Sequence, residues 1–180
     1  VTWSNDFTAL SDDCGETGSA TVIFTATDEC GNSSTTTAVF SIIDNTSPII
    51  ICPPDESYDG CSPDDINIFS TLPLSTSISI ITIDQLIAAG GSASDNCGIK
   101  EISYIDLSNL NTCPWTVTRT FTVIDECDNT VSCSQSISIS DNEAPILSCP
   151  TTQSFCESPG NSYQIPLLTG SDNCGNLSFT

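Results

Sequence analysis

The segment Thr27-Asp28-Glu29-Cys30-Gly31-Asn32 returns as Ile124-Asp125-Glu126-Cys127-Asp128-Asn129, 97 residues further along. At the same offset Asp44-Asn45-Thr46-Ser47-Pro48 falls on Asp141-Asn142-Glu143-Ala144-Pro145, and Cys52-Pro53 on Cys149-Pro150. A chain that repeats itself over such a distance folds as successive copies of one supersecondary unit, each able to pack on its neighbours. A further marker, Ser94-Asp95-Asn96-Cys97-Gly98, recurs as Ser171-Asp172-Asn173-Cys174-Gly175. These markers divide the chain into the C-terminal part of a first unit (1–51), a complete unit (52–148) and the N-terminal part of a further one (149–180). The end, Asn176-Leu177-Ser178-Phe179-Thr180, would read on into Val1-Thr2-Trp3 as one strand. Two arrangements fit: a window on a longer covalent array, or a subunit whose front part completes the back part of the next in a polymer. The missing initiator Met predicts a segment of a longer polypeptide.

Within a unit the period is two. Ala20, Val22, Phe24 and Ala26 alternate with Thr21, Ile23 and Thr25, and Ala38, Phe40 and Ile42 repeat the pattern after a turn, which is a hairpin signal. The second copy keeps Phe121, Val123, Ile137 and Ile139 in those phases, with Arg119 in place of Val22. Short alternating strands between Gly, Asn, Asp and Pro turns predict an all-β chain of tandem immunoglobulin-like antiparallel β-sandwiches stapled by disulfides. One exception is expected at Asp84 to Ala89, where Asp84 as N-cap and Gly90 as stop allow a short helix.

Eleven cysteines and no C-x-x-C pair argue for disulfides, hence an oxidising, extracellular or cell-surface setting, and against paired-knuckle zinc sites. Cys133 holds the inward phase of its strand where the first copy has Thr36, which marks it as an extra cysteine and pairs it with Cys52 in the opening strand. For the others, spacing decides nothing among the alternatives, and Cys97 with Cys127 and Cys61 with Cys113 is the pairing adopted. Cys14 and Cys30 are then expected to bond outside the window, or to Cys156 and Cys174 of another copy, leaving Cys149 over.

Composition removes whole classes of function. With 23 acidic residues against Lys100 and Arg119, the net charge is −21, so nucleic acids are not partners. No apolar run approaches the roughly 20 residues that span a bilayer, so membrane insertion is not expected. Without His, neither a Ser-His-Asp nor a Cys-His nucleophile system can form, and no enzyme is expected. The adjacent acids Asp12-Asp13 and Asp64-Asp65 point to opposite faces of an extended chain and make no catalytic pair.

Cys52-Pro53 at the unit start, Thr27 to Asn32 at the hairpin and Asp141-Asn142-Glu143-Ala144-Pro145 before Cys149-Pro150 resemble hyalin-type (HYR) repeats. More narrowly, Asp6 to Gly15 and Ala88-Ala89-Gly90-Gly91 before Asp95-Asn96-Cys97 are similar to repeats of giant Bacteroidetes surface proteins, SprB-type gliding adhesins among them. The resemblance implies extracellular Ig-like modules in adhesion or surface fibres, and no catalysis. Thr36 departs from the pattern's late cysteine, and the third unit reaches its Asp-Asn-Cys marker about 20 residues early.

The expected function is therefore structural: the stalk or filament of an adhesin or extracellular fibre, whose partners are neighbouring repeats or identical subunits. A second reading makes the units an adhesive head that grips a surface glycan, with Trp3, Trp115, Tyr58, Tyr104 and Tyr163 as a stacking platform. No cofactor is required by either. Asp28, Asp44, Asp95, Asp125, Asp141 and Asp172 recur at unit ends, where carboxylate oxygens suit calcium; the plainer alternative is that they make Asx-turns.

Overall fold

The computed structural model describes residues 1–109, 113–149 and 168–175. Strands dominate, in four hydrogen-bonded groups. The first is a sheet of β1 (Thr2–Asn5), β2 (Gly18–Thr27) and β3 (Ser33–Ile42), in that order. After β4 (Ile49–Ile51) and β5 (Glu56–Asp59) come a 3-10 turn at Pro63–Asp65, α1 (Ile66–Phe69), β6 (Ser79–Ile81), α2 (Ile83–Ala88) and β7 (Ser92–Ser94). The long strands β8 (Ile99–Ser108), β9 (Trp115–Asp125) and β10 (Thr130–Ser140) follow, then β11 (Ile146–Ser148) and β12 (Thr169–Ser171). The main sheet runs β5-β10-β9-β8-β6, with β5 parallel to β10 and the other pairs antiparallel. Two small antiparallel pairs, β4-β7 and β11-β12, complete the set.

The sequence repeat is also a geometric one. Phe24 faces Thr36 across β2 and β3, and Phe121 faces Cys133 at the matching register of β9 and β10. Both hairpins close with the same turn: the Asp28 carboxylate accepts from the N–H groups of Cys30 and Asn32 and from the Asn32 amide, each at 2.8 Å. Asp125 makes the same three bonds to Cys127 and Asn129 at the same distances. The turn needs a left-handed residue, supplied by Gly31 (φ 86°) in one copy and by Asp128 (φ 67°) in the other. Ile49 pairs with Ser94 and Ile51 with Ser92, and Ile146 and Ser148 pair likewise with Ser171 and Thr169. The early marker of the third unit thus costs the pairing nothing; the shortening falls wholly between the two paired strands.

The core lies on one face of the main sheet in two apolar clusters. Leu72, Ile81, Leu86, Ile102, Tyr104, Phe121 and Val123 form the larger, against which Ile50, Cys52, Ala93 and Cys133 pack. Ile66, Val117, Ile137 and Ile139 form the smaller. The covering layer is built from β4 and β7, the two short helices and the loop around Leu72. Helix α2 starts at Thr82, not at Asp84 as expected: the Thr82 hydroxyl accepts from Gln85 N–H at 3.2 Å, and the Gln85 side chain accepts from Thr82 N–H at 2.9 Å. Asp84 sits in the first turn, where a carboxylate still favours the helix dipole, and Gly90 (φ 92°) ends it as expected.

Between the clusters, at the place that broke the alternation, Arg119 is 1% exposed. Its Nε and a terminal nitrogen donate to the two Asp106 oxygens at 2.8 and 2.9 Å, another bond goes to the Pro73 carbonyl at 3.0 Å, and the guanidinium lies 4.6 Å from the Tyr104 ring centroid. A buried charge is tolerated only when paired and hydrogen-bonded in this way.

The first sheet has no such cover among the described residues. Phe40 and Ile42 are 50% and 52% exposed, whereas their repeat partners Ile137 and Ile139 are 0%. Phe7, Leu10, Val22, Phe40 and Ile42 line an open apolar groove of about 460 Å³ on that face.

Candidate functional site

The chemistry-bearing residues collect where the end of the first copy meets the second. Asp44 leaves the first sheet's last strand, Asp95 follows β7, and Asp125 ends β9; their carboxylate oxygens lie within 4.8 Å of one another. Each has one local duty. Asp44 accepts from Thr46 N–H (3.0 Å), Asp95 from Cys97 N–H (2.8 Å), and Asp125 holds its own turn. Asn129 ties the group together, its amide donating to the Asp125 carboxylate at 2.8 Å and to the Asp44 carbonyl at 3.4 Å. The Thr46 N–H, with Asn96 behind it, holds the Asp44 carboxyl below its usual range. The second carboxylate oxygens of Asp44 and Asp95 are buried and accept no well-formed hydrogen bond from the described residues.

The repeat builds the same arrangement again. Asp141 accepts from Glu143 N–H at 3.1 Å and from the Asn173 amide at 3.2 Å, and Asp172 accepts from Cys174 N–H at 3.0 Å. Asp141, Asp172 and Cys174 form a second close group, but Cys174 is in a disulfide and has no thiolate to offer. Of the six aspartates expected at unit ends, five therefore fall into two clusters. Asp28 stands apart among the described residues as the acceptor of its own turn, its carboxyl held low first of all by the Asn32 amide.

Cys52 and Cys133 are bonded, but the other two expected pairs are not the ones formed. Cys127 is joined to Cys14 instead of Cys97. Gly15 (φ 55°) permits this: a Cβ there would lie 2.5 Å from the Cys97 carbonyl, so only glycine lets the Cys14 turn settle against the Cys97 backbone. The Cys97 sulfur, turned away, accepts from the Asn96 amide at 3.0 Å, and burial followed by the Asp44 carboxylate pushes its thiol pKa up. Cys61 is joined to Cys174 instead of Cys113. Gly60 N–H donates to the Ser140 carbonyl and Asn142 N–H to Asp59, which holds Cys61 at the end of β10 beside the Asp141–Asp172 turn. Cys113 is an exposed thiol, as are Cys30 and Cys149. The bonds of Cys14 and Cys174 within this chain overturn the expectation that both have outside partners; Cys156 lies outside the described residues.

The expected aromatic platform is divided among the described residues. Tyr104 is core, Trp115 packs on the smaller cluster, Tyr58 stacks on Phe69 with centroids 5.2 Å apart, and Trp3 is exposed on the other sheet; Tyr163 lies outside the described residues. The Tyr58 phenol, pushed up to about 12 by burial and the Glu56 carboxylate, is expected to ionise well above an ordinary tyrosine in an absorbance titration. Because its folded pKa is raised, its contribution to stability is present below about pH 10 and is lost as pH rises toward 12. Unchanged stability across that window would contradict the assignment.

Among the described residues no helix is long and apolar enough to cross a membrane, and the three disulfides are consistent with an oxidising compartment. No protein-family model matches the chain, and no curated protein matches it either.

Proposed function

We propose that the chain is a stretch of an extracellular array of disulfide-stapled, immunoglobulin-like β units that serves as stalk or filament of a surface adhesin or fibre. The carrying observation is the span of two disulfides. Cys14–Cys127 and Cys61–Cys174 each bridge 113 residues, more than the 97-residue repeat, so each ties one copy to another and not a copy to itself. Covalent ties between successive copies are what a load-bearing array requires, because tension then passes through sulfur bonds and not only through packed surfaces. The resemblance to HYR and SprB-type repeats supports the same reading. The acidic surface adds mutual repulsion that keeps neighbouring fibres apart. Stretching single molecules with and without reductant tests it.

A second reading, a polymer of short subunits completed by strand complementation, is favoured by the face of the first sheet that the described residues leave open. In the complete copy that face is covered by residues of the 52–99 segment, so the cover fitting the groove beside Phe40 and Ile42 is the front part of another copy. On this reading the isolated chain forms head-to-tail oligomers in sedimentation at micromolar concentration, and Phe40→Asp abolishes them. A chain that stays monomeric at all concentrations rejects the polymer and leaves the array. The glycan-gripping head has less to stand on, since Tyr104 is buried in the core and Trp3 lies on the other sheet.

A further inference from the structure

The unpaired oxygens at the junction ask for a cation that the protein itself does not provide. Asp44 and Asp95 each bury a carboxylate oxygen that accepts no well-formed hydrogen bond from the described residues, with the Cys97 thiol beside Asp44 and the fully buried Asp125 next to both. Such atoms are costly to desolvate, and anionic oxygens this close repel one another unless a positive charge sits among them. The chain has two cationic side chains, and both are engaged elsewhere: Arg119 with Asp106, and Lys100 with Asp128 at 2.6 Å.

We infer that Asp44, Asp95 and Asp125 form a calcium site that locks the end of one repeat to the head of the next. Two oxygens on one calcium ion, each about 2.4 Å from it, can be no more than about 4.8 Å apart. The three carboxylates meet that limit. The donors are all hard oxygens, and a small cleft lined by Thr46, Ser47, Asp95 and Asn96 admits the waters that fill the remaining positions. Calcium suits this better than magnesium, which demands a tighter octahedron and surrenders water reluctantly. Asp44 comes from the first copy, Asp95 and Asp125 from the second, so an ion held by all three stiffens the junction. That consequence, though not the binding itself, rests on the array reading. Asp141 and Asp172 repeat the placement of Asp44 and Asp95 beside the paired strands β11 and β12.

The test is melting and calorimetry of the intact, oxidised chain in chelator, calcium and magnesium. Calcium at a hundredfold excess over its Kd is expected to raise Tm by about 5 to 10 °C. Asp95→Asn keeps an oxygen for the Cys97 N–H but drops the charge. Its Tm in chelator should equal or exceed that of the parent, while its calcium Kd weakens at least tenfold. Asp28→Asn, in the lone turn, should leave the calcium response intact. The inference is overturned if calcium gives neither heat nor a Tm shift, if magnesium acts equally, or if Asp95→Asn lowers Tm by the same amount in chelator and calcium, as a turn-only role requires. None of these outcomes touches the inter-copy disulfides, whose failure would show in peptide mapping.

Discussion

Reduction under tension is expected to release about 50 nm of chain that the oxidised protein withholds. Pulled from its ends, the oxidised chain transmits force through all three bonds in turn, Cys14–Cys127, Cys133–Cys52 and Cys61–Cys174, so that only segments 1–14, 127–133, 52–61 and 174–180 lie in line and roughly 145 residues are bypassed. At roughly 3.5 Å per extended residue this is about 50 nm of hidden length. Force spectroscopy with and without reductant reads it directly. The Cys14→Ser and Cys61→Ser double variant should release, in oxidising buffer, only about 22 nm of this, because Cys52–Cys133 still withholds its own 81-residue span. Equal contour lengths in both buffers would mean that the sulfur bonds carry no load. The same closures act on the unfolded chain: each is worth about 4 to 5 kcal/mol in the chain-entropy account of loops this long, so the reduced protein should also melt well below the oxidised one.

Truncating Arg119 or Asp106 is expected to cost about 3 to 5 kcal/mol, the largest loss of any single substitution considered. Either change strands a charge that is 1% exposed in the middle of the sheet. It also frees the Leu72 loop, because Arg119 binds the Pro73 carbonyl, Asp106 accepts from Ser75 N–H at 2.9 Å, and Tyr104 donates to Pro73 at 2.8 Å. Replacing both at once, Arg119→Met with Asp106→Leu, removes the uncompensated charge and should recover most of the loss. Denaturant unfolding of the three variants decides the matter. A single-variant loss under about 1 kcal/mol would mean that solvent reaches the pair and that the sheet is looser than described.

Arg119 also shows where sequence reasoning stops. As a break in an apolar alternation it was visible, but its partner lies 13 positions away on another strand. Only the β8–β9 register, which sets Asp106 opposite Arg119, joins them. The hairpins themselves were legible because a period of two and an Asp-x-x-x-Asn turn are local signals, and both copies carry them. Helix α1 went unseen although Ser62-Pro63-Asp64-Asp65 is a start signal, with Pro in the first turn and acids behind it. The cysteines divide in the same way. Cys133 betrayed its partner through strand phase, whereas Cys61 and Cys127 bond across copies, and no local pattern reports which copy a sulfur will meet. The aspartates were recognised as a recurring set, but which three converge depends on the packing of three separate chain segments.

The measurement that bears most directly on the account is disulfide mapping of the oxidised protein. With only two sites for trypsin, pepsin at low pH serves better, and it also suppresses thiol exchange. The account predicts cross-linked peptides joining Cys14 to Cys127, Cys61 to Cys174 and Cys52 to Cys133. Peptides joining Cys14 to Cys30 and Cys97 to Cys127 would confine each bond to its own copy and contradict the covalent tie between repeats on which the array rests.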